Sequence, residues 1–223
     1  MSSSSSSTAM TLIQNIIQHG INGAGPLVSA KALANEYRAT YPSVERALDQ
    51  LIKTEGRKSF GSGFVTGLGG FALLPVTLPS GMYASWVVQA RLIAAIAELC
   101  GLDSNSNEVQ TIVLLAMIGD GVKEVFKELG IKVGQNVTKA VIKKIPGKVL
   151  IEINKKVGMR LLTKSGEKGL INLSKAIPLV GGLIGGGVDC YATRFAGRKA
   201  KELFYQPTSS GSSSTQGDQL ALA

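Results

Sequence analysis

Few residues of this chain are equipped by type and spacing to do chemistry. There is one histidine, His19, and the two cysteines, Cys100 and Cys190, stand ninety positions apart. A zinc site of His and Cys needs ligand pairs a few residues apart, and neither cysteine has such a neighbour. A Ser-His-Asp or Cys-His system would have to recruit His19, which lies near the N-terminus in an apolar amphipathic stretch and reads as a helix-face or loop histidine. Two distant thiols fit reduced cysteines of an intracellular compartment. The glycine-dense strings GSGFVTGLGG (61–70) and GGLIGGG (181–187) fall short of a phosphate loop, because no Lys-Ser/Thr follows them and no strand precedes them. Neither a metal nor an organic cofactor is expected.

Charge carries more information than any motif. Of 24 basic and 15 acidic side chains, residues 121–175 hold thirteen basic and four acidic ones, so the net +9 of the chain resides in one quarter of it. Such segregation implies a face with a sign. Lys123, Lys139, Lys143, Lys144, Lys155 and Lys156, with Tyr83 and Trp86 from a neighbouring apolar stretch, form the candidate set for contact with lipid or a protein partner. A lysine near an anionic leaflet contributes on the order of 1 kcal/mol, and four to six of them with one buried apolar segment suffice for reversible attachment. The sequence pI of about 9.6 also raises nucleic acid, but the basic stretch has no interleaved aromatics and no reader motif, so nucleic-acid binding is not expected.

These residues need elements to hold them. The 223 residues are 44% apolar and 17% charged, with a mean hydropathy of +0.20, which suits one globular domain with a sizeable core. Nothing alternates for long with period two, so the expectation is an all-α, single-domain helical bundle with glycine- and proline-broken apolar helices. The serine-rich residues 1–10 and the Ser/Gly-rich residues 206–223 read as disordered flanks of a domain over 11–205, and the start of the chain does not read as a secretory signal. Helices are expected from about Leu27 to Tyr37, after an N-cap at Ser43, from Met82 to Leu99 with Gly101 at the stop, and over Glu108–Met117, Val122–Leu129, Asn136–Ile145, Lys148–Leu162 and Gly186–Phe204. After Ser43, the inward face is Val44, Leu48, Leu51 and Ile52. Residues 59–90 are thirty-two positions without a charge, but Gly61, Gly63, Gly67, Gly69, Gly70, Pro75, Pro79 and Gly81 favour a broken helical hairpin or a membrane-dipping segment over a simple span. Residues 176–188, also uncharged, are too few to span a bilayer, which takes about 20. Glycines four apart, Gly63/Gly67, Gly181/Gly185 and Gly182/Gly186, suit close helix crossings.

Two long strings add a resemblance. GFVTGLGGFALLPVTLPSGMYASWVVQARLIAAIAELCG, from Gly63 to Gly101, and VLIEINKKVGMRLLTKSGEKGLINLSKAIPLVGGLIGGGVDCYATR, from Val149 to Arg194, both resemble the EcsC family, over roughly Val44 to Phe204. The resemblance implies a helical protein found beside or fused to membrane systems, such as a bacterial ABC transporter, and brings no settled catalytic activity. It marks a polar set: Arg91 in QARLIAAIA, Lys164, Glu167 and Lys168 in TKSGEKG, and Asp189, Thr193 and Arg194 in GGGVDCYATR. Asp189 follows an uncharged run, with Thr193 one turn on, and a lone carboxylate there is costly unless paired. Arg91 or Arg194 is its expected partner, in a buried pair that docks two apolar helices; a polar ligand pocket and acid/base catalysis remain alternatives. TKSGEKG reads as a turn, or as a grip on a phosphate headgroup.

The functional expectation is therefore a non-enzymatic, cytoplasmic helical module attached peripherally to a membrane, through anionic lipid or an integral membrane protein of transport or secretion. The competing expectation is a hydrolase or lipid-modifying enzyme that uses Asp189 and Glu167 with a lysine. Without a usable histidine or metal cluster, its acid/base work would fall to carboxylates with shifted pKa values.

Overall fold

Seven helices account for the regular structure in the computed structural model, which describes residues 3–59, 80–118, 127, 145–172 and 178–205. They are α1 (Ser3–Asn22), α2 (Ala30–Thr40), α3 (Val44–Lys58), α4 (Ser80–Leu99), α5 (Asn107–Met117), α6 (Gly147–Asn172) and α7 (Pro178–Phe204). No strand occurs among the described residues, and the protein is an all-α bundle.

Three helices begin at a serine whose hydroxyl meets a backbone N–H that the helix itself leaves unpaired. Ser29 accepts from Ala32 at 3.1 Å, Ser43 from Arg46 at 3.3 Å and Ser106 from Val109 at 3.3 Å. Each such cap stabilises its helix by about 1 kcal/mol. At the far end of α4, Gly101 adopts φ +75°, a conformation that costs glycine least. The turn it makes lets Gly101 N–H donate to the Glu98 carbonyl and Leu102 N–H to the Ala97 carbonyl, both at 2.9 Å, which closes the helix as the sequence predicts.

Helix α4 is the axis of the bundle. Helices α1, α2, α3, α5 and α7 all pack against it, and from Tyr83 to Leu99 it is buried almost all round. A helix with no polar face is stable only where neighbours surround it. Helix α6 completes the bundle from the side, through Leu150, Ile153, Val157 and Leu161, against α1 and α5. Ile153, Val157 and Leu161 fall at helical spacing on its inward face, with Val149 partly buried.

Several expectations change. Residues 3–10 are helical: serine's modest helix propensity is overridden because α1 buries Ala9, Leu12, Ile13, Ile16 and Ile17. TKSGEKG is no turn, since α6 runs unbroken through it to Asn172, and α7 begins at Pro178, eight residues before the expected start. Val44, at the mouth of α3, is exposed rather than inward. The surroundings of the predicted pairs Gly63/Gly67, Gly181/Gly185 and Gly182/Gly186 lie outside the described residues, and other glycines make close helix crossings. A Cβ on Gly20 would stand 2.8 Å from the Ala90 Cβ, and one on Gly158 3.0 Å from the Ala9 carbonyl oxygen, so these two positions let α1 lie directly on α4 and α6. The uncharged stretch 60–79, the predicted helices over 122–129 and 136–145 apart from Lys127 and Ile145, and the tail 206–223 lie outside the described residues. None of the described helices is long and apolar enough to cross a membrane.

Candidate functional site

Glu55, Gln89, Arg91 and Thr193, all buried polar side chains, lie on α3, α4 and α7. Glu55 occupies the apolar face of α3, seven residues after Leu48, and is fully buried. Its carboxylate is met on both oxygens: Arg91 of α4 donates to Oε2 through Nη2, and Lys58, half-exposed, donates to Oε1 at 2.9 Å. Arg194 of α7 lies across the same place. A Cβ on Gly56 would stand 2.5 Å from its Cγ, so the glycine is the seat of the arginine stem. The Nε atoms of Arg91 and Arg194 are buried without a hydrogen-bond partner, as is the hydroxyl of Thr193.

Asp189 sits apart from these arginines. It accepts a hydrogen bond from Ser85 Oγ at 3.1 Å, and Ser85 in turn accepts one from Gln89 Nε2 at 3.1 Å. Ser59 Oγ reaches the main-chain carbonyl of Asp189 at 3.5 Å. Burial pushes the Asp189 carboxyl above its usual range, and the Ser85 hydrogen bond pulls it partly back. The expected Asp189–Arg91 pair is thus corrected. Six residues separate Ser85 from Arg91, or about 9 Å along α4, so the carboxylate of α7 meets the serine while the guanidinium meets α3. Sequence reasoning missed Glu55 because Lys53, Arg57 and Lys58 make its neighbourhood look solvated; the signal that would have found it is its register with Leu48, Leu51 and Ile52.

The cluster ties α3, α4 and α7 together through the Glu55–Arg91 ion pair and the Ser85–Asp189 hydrogen bond, and no imidazole stands within it. His19 is elsewhere on α1, where its Nδ1 shares a 2.8 Å hydrogen bond with Tyr83 Oη. Among the described residues no three of His, Cys, Asp and Glu converge as metal ligands do. Lys164, Glu167 and Lys168 lie on the last turns of α6, and their side chains fall outside the described residues.

The candidate lipid- or partner-binding set divides. Tyr83 and Trp86 are core side chains, which corrects their assignment to an outer surface: α4 is enclosed on every side, and burial pushes the Tyr83 phenol up to about 12. Lys123, Lys139, Lys143 and Lys144 lie outside the described residues. Lys155 is exposed on α6 and Lys156 is half-buried beside it. Lys148, Ile151, Glu152 and Lys155 follow one another at helical spacing on the outer face of α6, and Ile151 is 62% exposed between the two lysines.

The chain matches no family model, no curated protein and no solved structure. Its function is read from these residues alone.

Proposed function

We propose that the protein is a non-enzymatic helical module of the cytoplasmic face that attaches reversibly to an anionic membrane surface. The observation that carries the reading is the outer face of α6, where a large aliphatic side chain stands in solvent between Lys148 and Lys155. An interfacial helix presents apolar residues flanked by lysines to the headgroup boundary, and Ile151 between Lys148 and Lys155 has that pattern. Two lysines at about 1 kcal/mol each and the burial of Ile151, worth about 1.5–3 kcal/mol at most, make a weak contact by themselves. The remaining lysines of the 121–175 segment are its natural reinforcement. The resemblance to the EcsC family, whose members accompany membrane systems, supports the same reading, and membership in that family is part of the proposal.

Vesicle co-sedimentation tests it. Binding is expected to rise with phosphatidylserine content, to fall with salt, and to weaken about tenfold or more in the Lys148→Glu/Lys155→Glu double variant. Binding indifferent to both lipid charge and salt overturns the proposal. Binding only to vesicles that carry an integral membrane protein assigns the basic face to that partner instead.

A further inference from the structure

A half-open cavity of about 410 Å³ lies between α1, α5 and α6, away from the Glu55–Arg91 cluster. Small-molecule sites run from about 300 to 1,000 Å³, so this one suits a compact polar group with a short apolar extension. Its lining is of two kinds. Ile13, Ile17 and Leu150 give it an aliphatic wall, and five carboxamides, among them Gln14, Gln110 and Asn154, give it donors and acceptors. No lining residue carries a charge, so an ionised ligand would lose its hydration with nothing to balance it.

We infer that this cavity binds the uncharged, hydroxyl-bearing end of an acylglycerol. Its hydroxyls donate to carboxamide oxygens of the lining, its oxygens accept from carboxamide N–H groups, and the first methylenes of the acyl chain lie along Ile13, Ile17 and Leu150. Gly147 and Ile151 belong to the lining, and Ile151 is also the exposed residue of the outer face of α6. The cavity therefore opens beside the surface assigned to the membrane, where the rest of an acyl chain has apolar surroundings to enter. The source of the ligand rests on that membrane reading; the binding itself does not.

The test titrates 1-octanoylglycerol, below the concentration at which it forms micelles, into the full chain by isothermal calorimetry, with sodium octanoate as the charged counterpart. Saturable binding of octanoylglycerol is expected, with octanoate about tenfold weaker or more. Gln110→Leu removes a carboxamide of the lining, and Gln14→Trp, at an exposed position, fills the entrance; each is expected to weaken octanoylglycerol about tenfold while circular dichroism stays that of the parent. If Gln110→Leu fails to fold, Gln14→Trp decides. Absence of saturable binding, equal affinity for octanoate, or unchanged affinity in the folded variants overturns the inference. The Lys148→Glu/Lys155→Glu variant keeps octanoylglycerol binding and loses vesicle binding, so if vesicles never bind while octanoylglycerol does, the cavity assignment stands and the membrane reading falls.

Discussion

At the scale of single residues, the heaviest consequence falls on Glu55. Its carboxylate is the buried partner of the Arg91 guanidinium, and removing one member of such a pair leaves an uncompensated charge in the core. Glu55→Gln is therefore expected to lower stability by about 3–5 kcal/mol, read from the urea midpoint. Replacing both members with methionine should recover most of the loss, since apolar substitutes for a whole buried pair are often neutral or better. Asp189 behaves differently. Its carboxyl is raised by burial, so the folded state holds the proton more firmly than the unfolded chain does. Stability is then lost as pH rises from the ordinary carboxylate range through the raised folded value. Asp189→Asn, which keeps an acceptor for Ser85, is expected to raise Tm at pH 7 and to lose that advantage as the buffer is made acidic. Tyr83, raised to about 12, predicts a loss at the other extreme: stability declines as pH climbs from 10 towards 12, and Tyr83→Phe abolishes the matching late step in phenolate absorbance.

At the scale of elements, close approach matters more than propensity. Gly20→Ala would gain about 1 kcal/mol as an isolated helix substitution. Against the 2.8 Å contact with the Ala90 Cβ it should instead destabilise by about 1–3 kcal/mol, because neither backbone can retreat without unseating α1 from α4. Thermal melts of the variant check the sign. The same contrast explains which elements could be read in advance. Ser43, the α4 stripe and Gly101 announce their helix because cap, period and stop are all local. The serine-rich start of α1 misleads because packing of the helix with partners distant in sequence overrides local preference. The site was legible only in part. Asp189 was visible as a lone carboxylate after an uncharged run, but its partner Ser85 is one of many serines, and Glu55 hides among neighbouring cations. Gly20 and Gly158, which let α1 lie on α4 and α6, stand singly, and no sequence period marks them.

At the scale of the whole molecule, the charge is segregated while the core is continuous. One apolar cluster runs from Leu12 in α1 to Phe204 in α7, so the basic face of α6 is mounted on a rigid body. Ile151→Asp should for that reason leave Tm within a degree or two of the parent, since surface changes rarely exceed about 0.5 kcal/mol. It should nonetheless weaken vesicle partition about fivefold or more, through the loss of the one large aliphatic group on that face. Unchanged partition would remove Ile151 from the contact and leave attraction to lysines alone.

The position of α1 has a consequence for how the chain is made. It leaves the ribosome well ahead of α6, whose Gly158 and Leu161, on the surface that flanks it, are translated well over a hundred residues later. At about 5–20 residues per second, the flank of α1 that α6 covers waits on the order of ten seconds for its cover. During that interval the nascent protein presents an oily edge with no native partner yet synthesised, which makes the first twenty residues the natural place for a holding chaperone to engage.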